Sequence, residues 1–196
     1  RDHLGLFMLD ASGHGVSAAL RAVAMSTFLH PGNISQVVGS FYPSAILAEA
    51  NRRFQITERA DYFTLWVGVL HLPTWVIRFA SAGHAGALLC GPKHGPVGLS
   101  FDDLALGLDP DSIYKSGQRQ MQPGDRLYMC SDGIYETLSP EQELWGLERL
   151  QQMVAQSAAL PIDQVIEQCF QASRDWQRTE TFGDDAALIC LERLVS

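Results

Sequence analysis

The sequence predicts an α+β domain of antiparallel sheets covered by helices. Three observations carry this. Strands and helices come in mixed blocks rather than strict βα alternation, and several strands are joined by hairpin-like connections. No repeat, low-complexity tract or linker interrupts the 196 residues. Hydrophobic residues make up 46% and charged residues 18%, so a chain of this length can close a sizeable core as one domain.

The elements follow in order. Leu4-Gly5-Leu6-Phe7-Met8-Leu9-Asp10 is an apolar strand ending on a carboxylate. Residues 16–29 alternate small and apolar groups at helical spacing, which predicts a helix packed close to a sheet. His30-Pro31-Gly32-Asn33 stops it. A second helix spans about 43–56, with Ile46, Leu47, Ala50 and Phe54 on its inner face. Residues 62–71, 75–80 and 85–90 are β-branched and aromatic and predict strands, the first two joined through Leu72-Pro73-Thr74. Residues 91–98 read as a turn-rich loop, and 102–111 as an acidic loop with Leu104, Leu106 and Leu108 interleaved. An edge strand is expected over 112–121, and Pro123-Gly124-Asp125 turns tightly into a strand at 126–130. Ser139-Pro140-Glu141 reads as a helix start, with Ser139 capping and Pro140 at the first helical position. Another helix follows Leu160-Pro161, and the last strand covers 186–191.

The formal charge of −8 argues against nucleic acid as a partner, because phosphate backbones require clustered Lys and Arg. It leaves room for a phosphorylated substrate whose charge is met by bound metal ions. No apolar run reaches membrane-spanning length and no signal peptide is visible, so no membrane insertion is expected. Cys90, Cys130, Cys169 and Cys190 sit in apolar segments without C-x-x-C spacing. They read as reduced core residues, which fits a cytoplasmic protein. The chain starts at Arg1 and enters a strand almost at once, which reads as a segment of a longer protein.

Candidate chemistry lies in carboxylates at strand ends. Asp10 opens Asp10-Ala11-Ser12-Gly13-His14-Gly15. Asp132 stands in Ser131-Asp132-Gly133-Ile134-Tyr135-Glu136 after another apolar strand, and Asp184-Asp185 precede the last one. Each motif alone is an ordinary turn. Three in one domain point further, since like charges brought together are costly and a divalent cation relieves that cost. Hard oxygen donors without clustered His or Cys suit Mg2+ or Mn2+ rather than zinc.

The ordered set Asp10-Ala11-Ser12-Gly13-His14-Gly15, Ser81-Ala82-Gly83-His84, Pro123-Gly124-Asp125-Arg126-Leu127, Ser131-Asp132-Gly133-Ile134-Tyr135-Glu136 and Gly183-Asp184-Asp185-Ala186-Ala187-Leu188 resembles the bacterial SpoIIE/RsbU branch of the PPM (type 2C) serine/threonine phosphatases. Leu104-Ala105-Leu106-Gly107-Leu108 and Trp145-Gly146-Leu147-Glu148-Arg149-Leu150 add to it, so the resemblance covers nearly the whole chain. It implies a four-layer α-β-β-α sandwich with two central antiparallel sheets and a two-metal site. Asp10 would bridge both ions, with the Ala11 carbonyl on one of them and Asp132 and Asp184 on the other. Asp185 would bond locally, and a water activated between the ions would attack phosphorus in line. Gly13 and Gly15 would let the backbone approach the metals, and Gly133 would support the second acid turn.

The resemblance also implies partners. These are a phosphorylated protein substrate, typically an anti-sigma-factor antagonist with a STAS-like fold, and an upstream receiver or sensory domain that makes this chain a C-terminal output module. A homodimer is among the assemblies such a module allows. The family's acidic motif G-G-D-[FYW]-x-D has no match here; Arg1-Asp2-His3 looks like the turn that would follow it. That departure motivates a second reading, a phosphatase-like partner-binding module that is weak or inactive. A nuclease or cyclase is disfavoured by the acidic chain and the absence of a P-loop. In eukaryotic relatives a general-acid His lies two residues after the bridging Asp, where this chain has Ser12. His14, four residues on, reads as a loop-holding residue ahead of a catalytic one. His84 reads as a hydrogen-bonded turn histidine. His30, His71 and His94 have no partner by spacing. Trp66, Trp75 and Trp145 are expected in the core, and Trp176 is the tryptophan best placed for a contact surface.

Overall fold

The computed structural model describes residues 2–13, 15–39, 41–56 and 62–195. The elements are β1 (His3–Ala11), α1 (Val16–Phe28), α2 (Pro31–Val37), α3 (Pro43–Arg53), β2 (Phe63–His71), β3 (Val76–Ala82), β4 (Ala87–Gly91), β5 (His94–Leu99), β6 (Gly117–Gln120), β7 (Arg126–Cys130), α4 (Leu147–Gln156), α5 (Ile162–Gln177) and β8 (Leu188–Glu192). They form two four-stranded sheets, ordered β1-β2-β3-β6 and β5-β4-β7-β8. The resolved strand pairings are antiparallel, giving the expected α+β class. The chain divides into two compact units, Arg1–Gly86 with Leu99–Met121, and Ala87–Gly98 with Gln122–Ser196. No helix among the described residues is long and apolar enough to cross a membrane.

In the first unit the register of β1 on β2 runs from His3↔His71 to Ala11↔Phe63. Strand side chains alternate between faces. One row therefore places Leu9, Ala11, Phe63, Leu65, Val67, Ala80 and Ala82 against Met25, Phe28, Leu29, Ile34, Ile46, Leu47 and Ala50 of the helices. Fully burying side chains of the larger types stabilises by roughly 1.5–3 kcal/mol each. Such packing is what holds α2, whose 7 residues are too few for a helix stable on its own. Trp66 is fully buried, and its indole N–H donates to the Leu99 carbonyl at 2.7 Å.

The second unit repeats the logic. Tyr128, Cys130 and Cys90 pack with Trp145, Leu150, Val154, Val165 and Cys169, and with the partly buried Cys190. All four cysteines are free thiols, as expected from the sequence. Burial pushes the Cys130 thiol up to about 12, so it is a poor nucleophile.

Several boundaries differ from expectation. The edge strand expected over 112–121 is only Gly117–Gln120, and the helix expected to about 56 ends at Arg53. Pro31 ends α1 but also occupies the first position of α2, where its missing N–H costs nothing, and His30 Nδ1 accepts from the Gly32 N–H at 3.3 Å. Residues 91–98 are a hairpin rather than a loop, because β5 finds its bonding partner in β4 despite its glycines. Ser139 does behave as a cap, its hydroxyl accepting from the Glu141 and Glu143 N–H groups at 3.2 Å. No helix follows it. The chain closes through the Leu138↔Leu144 bridge with Gln142 at φ 64, and α4 starts only after Gly146 at φ 86.

Long-range contacts also supply what spacing withheld. His94 Nε2 lies 3.2 Å from Oδ2 of the fully buried Asp125. His71 instead finds its partner within its own turn, Nδ1 lying 2.7 Å from the Thr74 hydroxyl. Trp176 is engaged internally, its indole N–H on the Glu143 carbonyl at 2.9 Å and the Arg149 guanidinium 4.3 Å from its ring centroid.

His84 is buried, and its Nδ1 accepts from the Gly86 N–H at 3.0 Å, as a turn histidine should. Burial holds its pKa down at about 4, against 6.5 for an unburied imidazole. Above pH 6.5 both folded and unfolded chains are neutral here. Below it the unfolded chain gains a proton that the folded one refuses, until about pH 4. The expected loss over that window is on the order of 3 kcal/mol. Urea midpoints at pH 7 and pH 4.5 should show it, and His84→Gln should flatten the difference.

Candidate metal centre

In the first unit, Asp10 is the penultimate residue of β1 and stands opposite Thr64. Because Leu9 and Ala11 face the helices, the pleat puts Asp10 on the other face of the sheet, where it is half-buried. Ser12 prolongs the ladder past the strand end. Its N–H donates to the Tyr62 carbonyl at 3.0 Å, and its hydroxyl both donates to that carbonyl at 2.9 Å and accepts from the Tyr62 N–H at 2.6 Å. The segment bearing Asp10 and the Ala11 carbonyl is thus held to the β2 side both before and after it. Gly13 and Gly15 have φ of 90 and 88, a left-handed backbone that glycine adopts without strain. His14 lies outside the described residues.

In the second unit, Asp132 begins a single 3-10 turn, Asp132–Ile134, directly after β7. Its carbonyl accepts from the Tyr135 and Glu136 N–H groups at 2.9 and 2.7 Å. The loop carrying Asp184 and Asp185 is fastened to it by Ser131. That buried hydroxyl donates to the Asp185 carbonyl at 2.7 Å and accepts from the Ala187 N–H at 2.8 Å, while the Ser131 N–H reaches the Ala187 carbonyl at 3.0 Å. Gly133 permits this approach, since a Cβ there would lie 2.5 Å from the Asp185 carbonyl oxygen. Asp184 Oδ1 accepts from the Asp185 N–H at 2.7 Å, and both side chains are exposed.

The electrostatics fit a cation. Partial desolvation, then the charges of Asp132 and Asp184, push the Glu136 carboxyl above its ordinary range. Negative charge therefore accumulates on hard oxygens open to solvent, the donor set of Mg2+ or Mn2+. Among the described residues no group of three or more His, Cys, Asp or Glu is gathered as a cage. Nothing in the sequence gives Ser131 or Glu136 a role of its own. Their only signal was membership of the Ser131–Glu136 motif.

A PP2C-type fold is the class this architecture defines. The SiaA-PP2C domain of Pseudomonas aeruginosa superposes with a TM-score of 0.80 at 19% identity, over 97% of this chain and 80% of that one. RsbX in complex with magnesium superposes with a TM-score of 0.66 at 14% identity, over 96% of this chain and 80% of that one. The family model for stage II sporulation protein E matches residues 1–194, and the chain belongs to the SpoIIE family. Phosphoserine phosphatase RsbU of Bacillus subtilis (strain 168) is 25% identical over 199 residues, which take in all of this chain and 57% of RsbU. The chain thus spans little more than half the length of that relative.

Two outcomes follow. Ser131→Ala removes a buried donor and acceptor and should cost about 1–3 kcal/mol in urea unfolding. Glu136 is a raised acid, so its contribution favours folding at low pH and is lost as the group ionises. Glu136→Gln should therefore raise the melting temperature of metal-free protein at pH 7. That gain should fade toward pH 4 and shrink when manganese is added.

Proposed function

We propose that this chain is a metal-dependent phosphoserine/phosphothreonine protein phosphatase domain, acting in bacterial signalling on a phosphorylated anti-sigma-factor antagonist. The observation that carries the reading is the Ser131 staple, which joins the Ser131-Asp132-Gly133 and Asp184-Asp185 motifs so that their charges converge on Glu136. The named activity of RsbU supports the same class.

In the second unit Asp132 and Asp184 would hold a divalent ion, with Asp185 holding the loop and Gly133 allowing the close approach. In the first unit Asp10 and the Ala11 carbonyl would be oxygen donors. When bound, Mg2+ or Mn2+ would supply Lewis-acid activation of water and neutralisation of phosphate charge. The protein's part is positional. The β1–β2 ladder and Ser12 hold Asp10, and Ser131 holds the acid loop, so little reorganisation is needed as charge develops. A STAS-like substrate, a receiver or sensory domain upstream, a cytoplasmic setting and a homodimer belong to this proposal.

The test is phosphate release from a phosphoserine peptide and from p-nitrophenyl phosphate with manganese. Turnover should appear with the metal and vanish on chelation. Asp10→Asn and Asp132→Asn should each lower kcat/KM by about 100-fold or more. Absence of turnover in a protein that also carries the residues upstream of Arg1 would sink the catalytic reading in favour of a partner-binding module.

A further inference from the structure

Residues 100–116 run between β5 and β6 without regular structure, longer than loops that merely connect. They are nevertheless held firmly. Phe101 exchanges bonds with the Ser81 hydroxyl at 2.6 and 2.9 Å, and the Asp103 carbonyl accepts from the Gly83 N–H at 2.9 Å. Asp103 Oδ2 accepts from the Lys115 N–H at 2.8 Å, and its Oδ1 lies 3.3 Å from Lys115 Nζ. Asn51 takes the Gly107 N–H at 2.7 Å and donates to the Asp109 carbonyl at 2.9 Å. The Ser112 N–H closes on the Asp109 carbonyl at 3.2 Å. Ala105, Leu106 and Tyr114 are buried anchors.

Against that order, three large apolar side chains face water: Leu104 is 55% exposed, Leu108 48% and Ile113 88%. Leu108 and Ile113 flank the Asp109–Ser112 closure, and Leu104 adjoins the Asp103–Lys115 link that ties the two arms of the loop together. A rigid loop displaying apolar groups has already lost the entropy that binding would otherwise cost.

Two further facts identify the occupant. Leu106 exchanges backbone bonds with Phe63 at 2.9 and 3.3 Å, and Phe63 pairs with Ala11. The loop is thus rooted two strand spacings, about 10 Å, from the Asp10 end of β1. Its charge is one-sided, with Asp102, Asp103, Asp109 and Asp111 against Lys115, whose ammonium already meets Asp103. Two copies of this face would repel each other, and an apolar segment flanked by Lys or Arg would complement it.

We propose that loop 100–116 docks the phosphorylated protein substrate through apolar residues bordered by basic ones, a few residues away from the phosphoserine. This rests on the phosphatase reading above, and the test separates the two. Manganese-loaded protein is assayed on p-nitrophenyl phosphate, on a phosphoserine peptide with Leu and Lys roughly four to eight residues from the phosphoserine, and on the same peptide with Glu for Lys.

The basic peptide should be preferred about tenfold in kcat/KM. The triple variant L104S/L108S/I113S should lose about that factor through KM, and D102K/D111K should reverse the charge preference. Both should leave p-nitrophenyl phosphate turnover within about twofold. Equal losses on all three substrates, or an unchanged preference, would overturn the proposal. So would a dimer in sedimentation that the triple variant abolishes. Should neither p-nitrophenyl phosphate nor the phosphopeptides turn over, in protein that also carries the residues upstream of Arg1, the phosphatase reading fails by itself. Docking is then read from fluorescence anisotropy of the unphosphorylated basic peptide, where a Kd weakened about tenfold in the triple variant supports it and an unchanged Kd overturns it.

Discussion

The register of β1 against β2 is the constraint on which the first unit depends. A strand has a side-chain period of two, so one choice of register decides both faces at once. With Leu9 opposite Leu65 and Ala11 opposite Phe63, the apolar row meets the helices and Asp10 is left on the other face. A slip of one residue would bury the carboxylate beneath α1 and α3 and turn Leu9 and Ala11 outward. Loss of apolar burial and the cost of an uncompensated buried charge both oppose that slip. Core packing and placement of the candidate ligand are therefore one decision.

In the second unit a single hydroxyl does comparable work. Ser131 lies between an apolar strand and an acid turn, and its bonds to Asp185 and Ala187 bring a distant loop alongside. Partial desolvation first, and then the charges of Asp132 and Asp184, raise the Glu136 carboxyl there. Holding these acids close costs local stability, a cost that a bound cation would relieve. Gly133 allows the approach because a side chain there would strike the Asp185 carbonyl.

Features written in local chemistry were legible from the sequence. The acid-ended strand, the turn at Pro123-Gly124-Asp125, the helix after Pro161 and the free thiols match the structure. Where local signals had two outcomes, tertiary context chose. Ser139 formed its cap bonds in either case, but the Leu138↔Leu144 bridge and the left-handed Gln142 ended the turn before a helix could propagate. Glycine-rich β5 became a strand because β4 offered it a ladder. His94 and Trp176 found partners 31 and 33 residues away, beyond the reach of any spacing rule.

The α+β class and the family were already settled by the sequence, which also marked out the acids proposed as metal ligands, because periodicity, turn residues and ordered motifs act over a few residues each. Only the tertiary structure decided which acids share a neighbourhood within a unit. It also decided that Ser131 ties two of their motifs together, and that Leu104, Leu108 and Ile113 stay in water on a loop otherwise tied down. Those outcomes depend on hydrogen bonds and packing between residues far apart in the chain, whose strength is set by burial and geometry that no local pattern encodes.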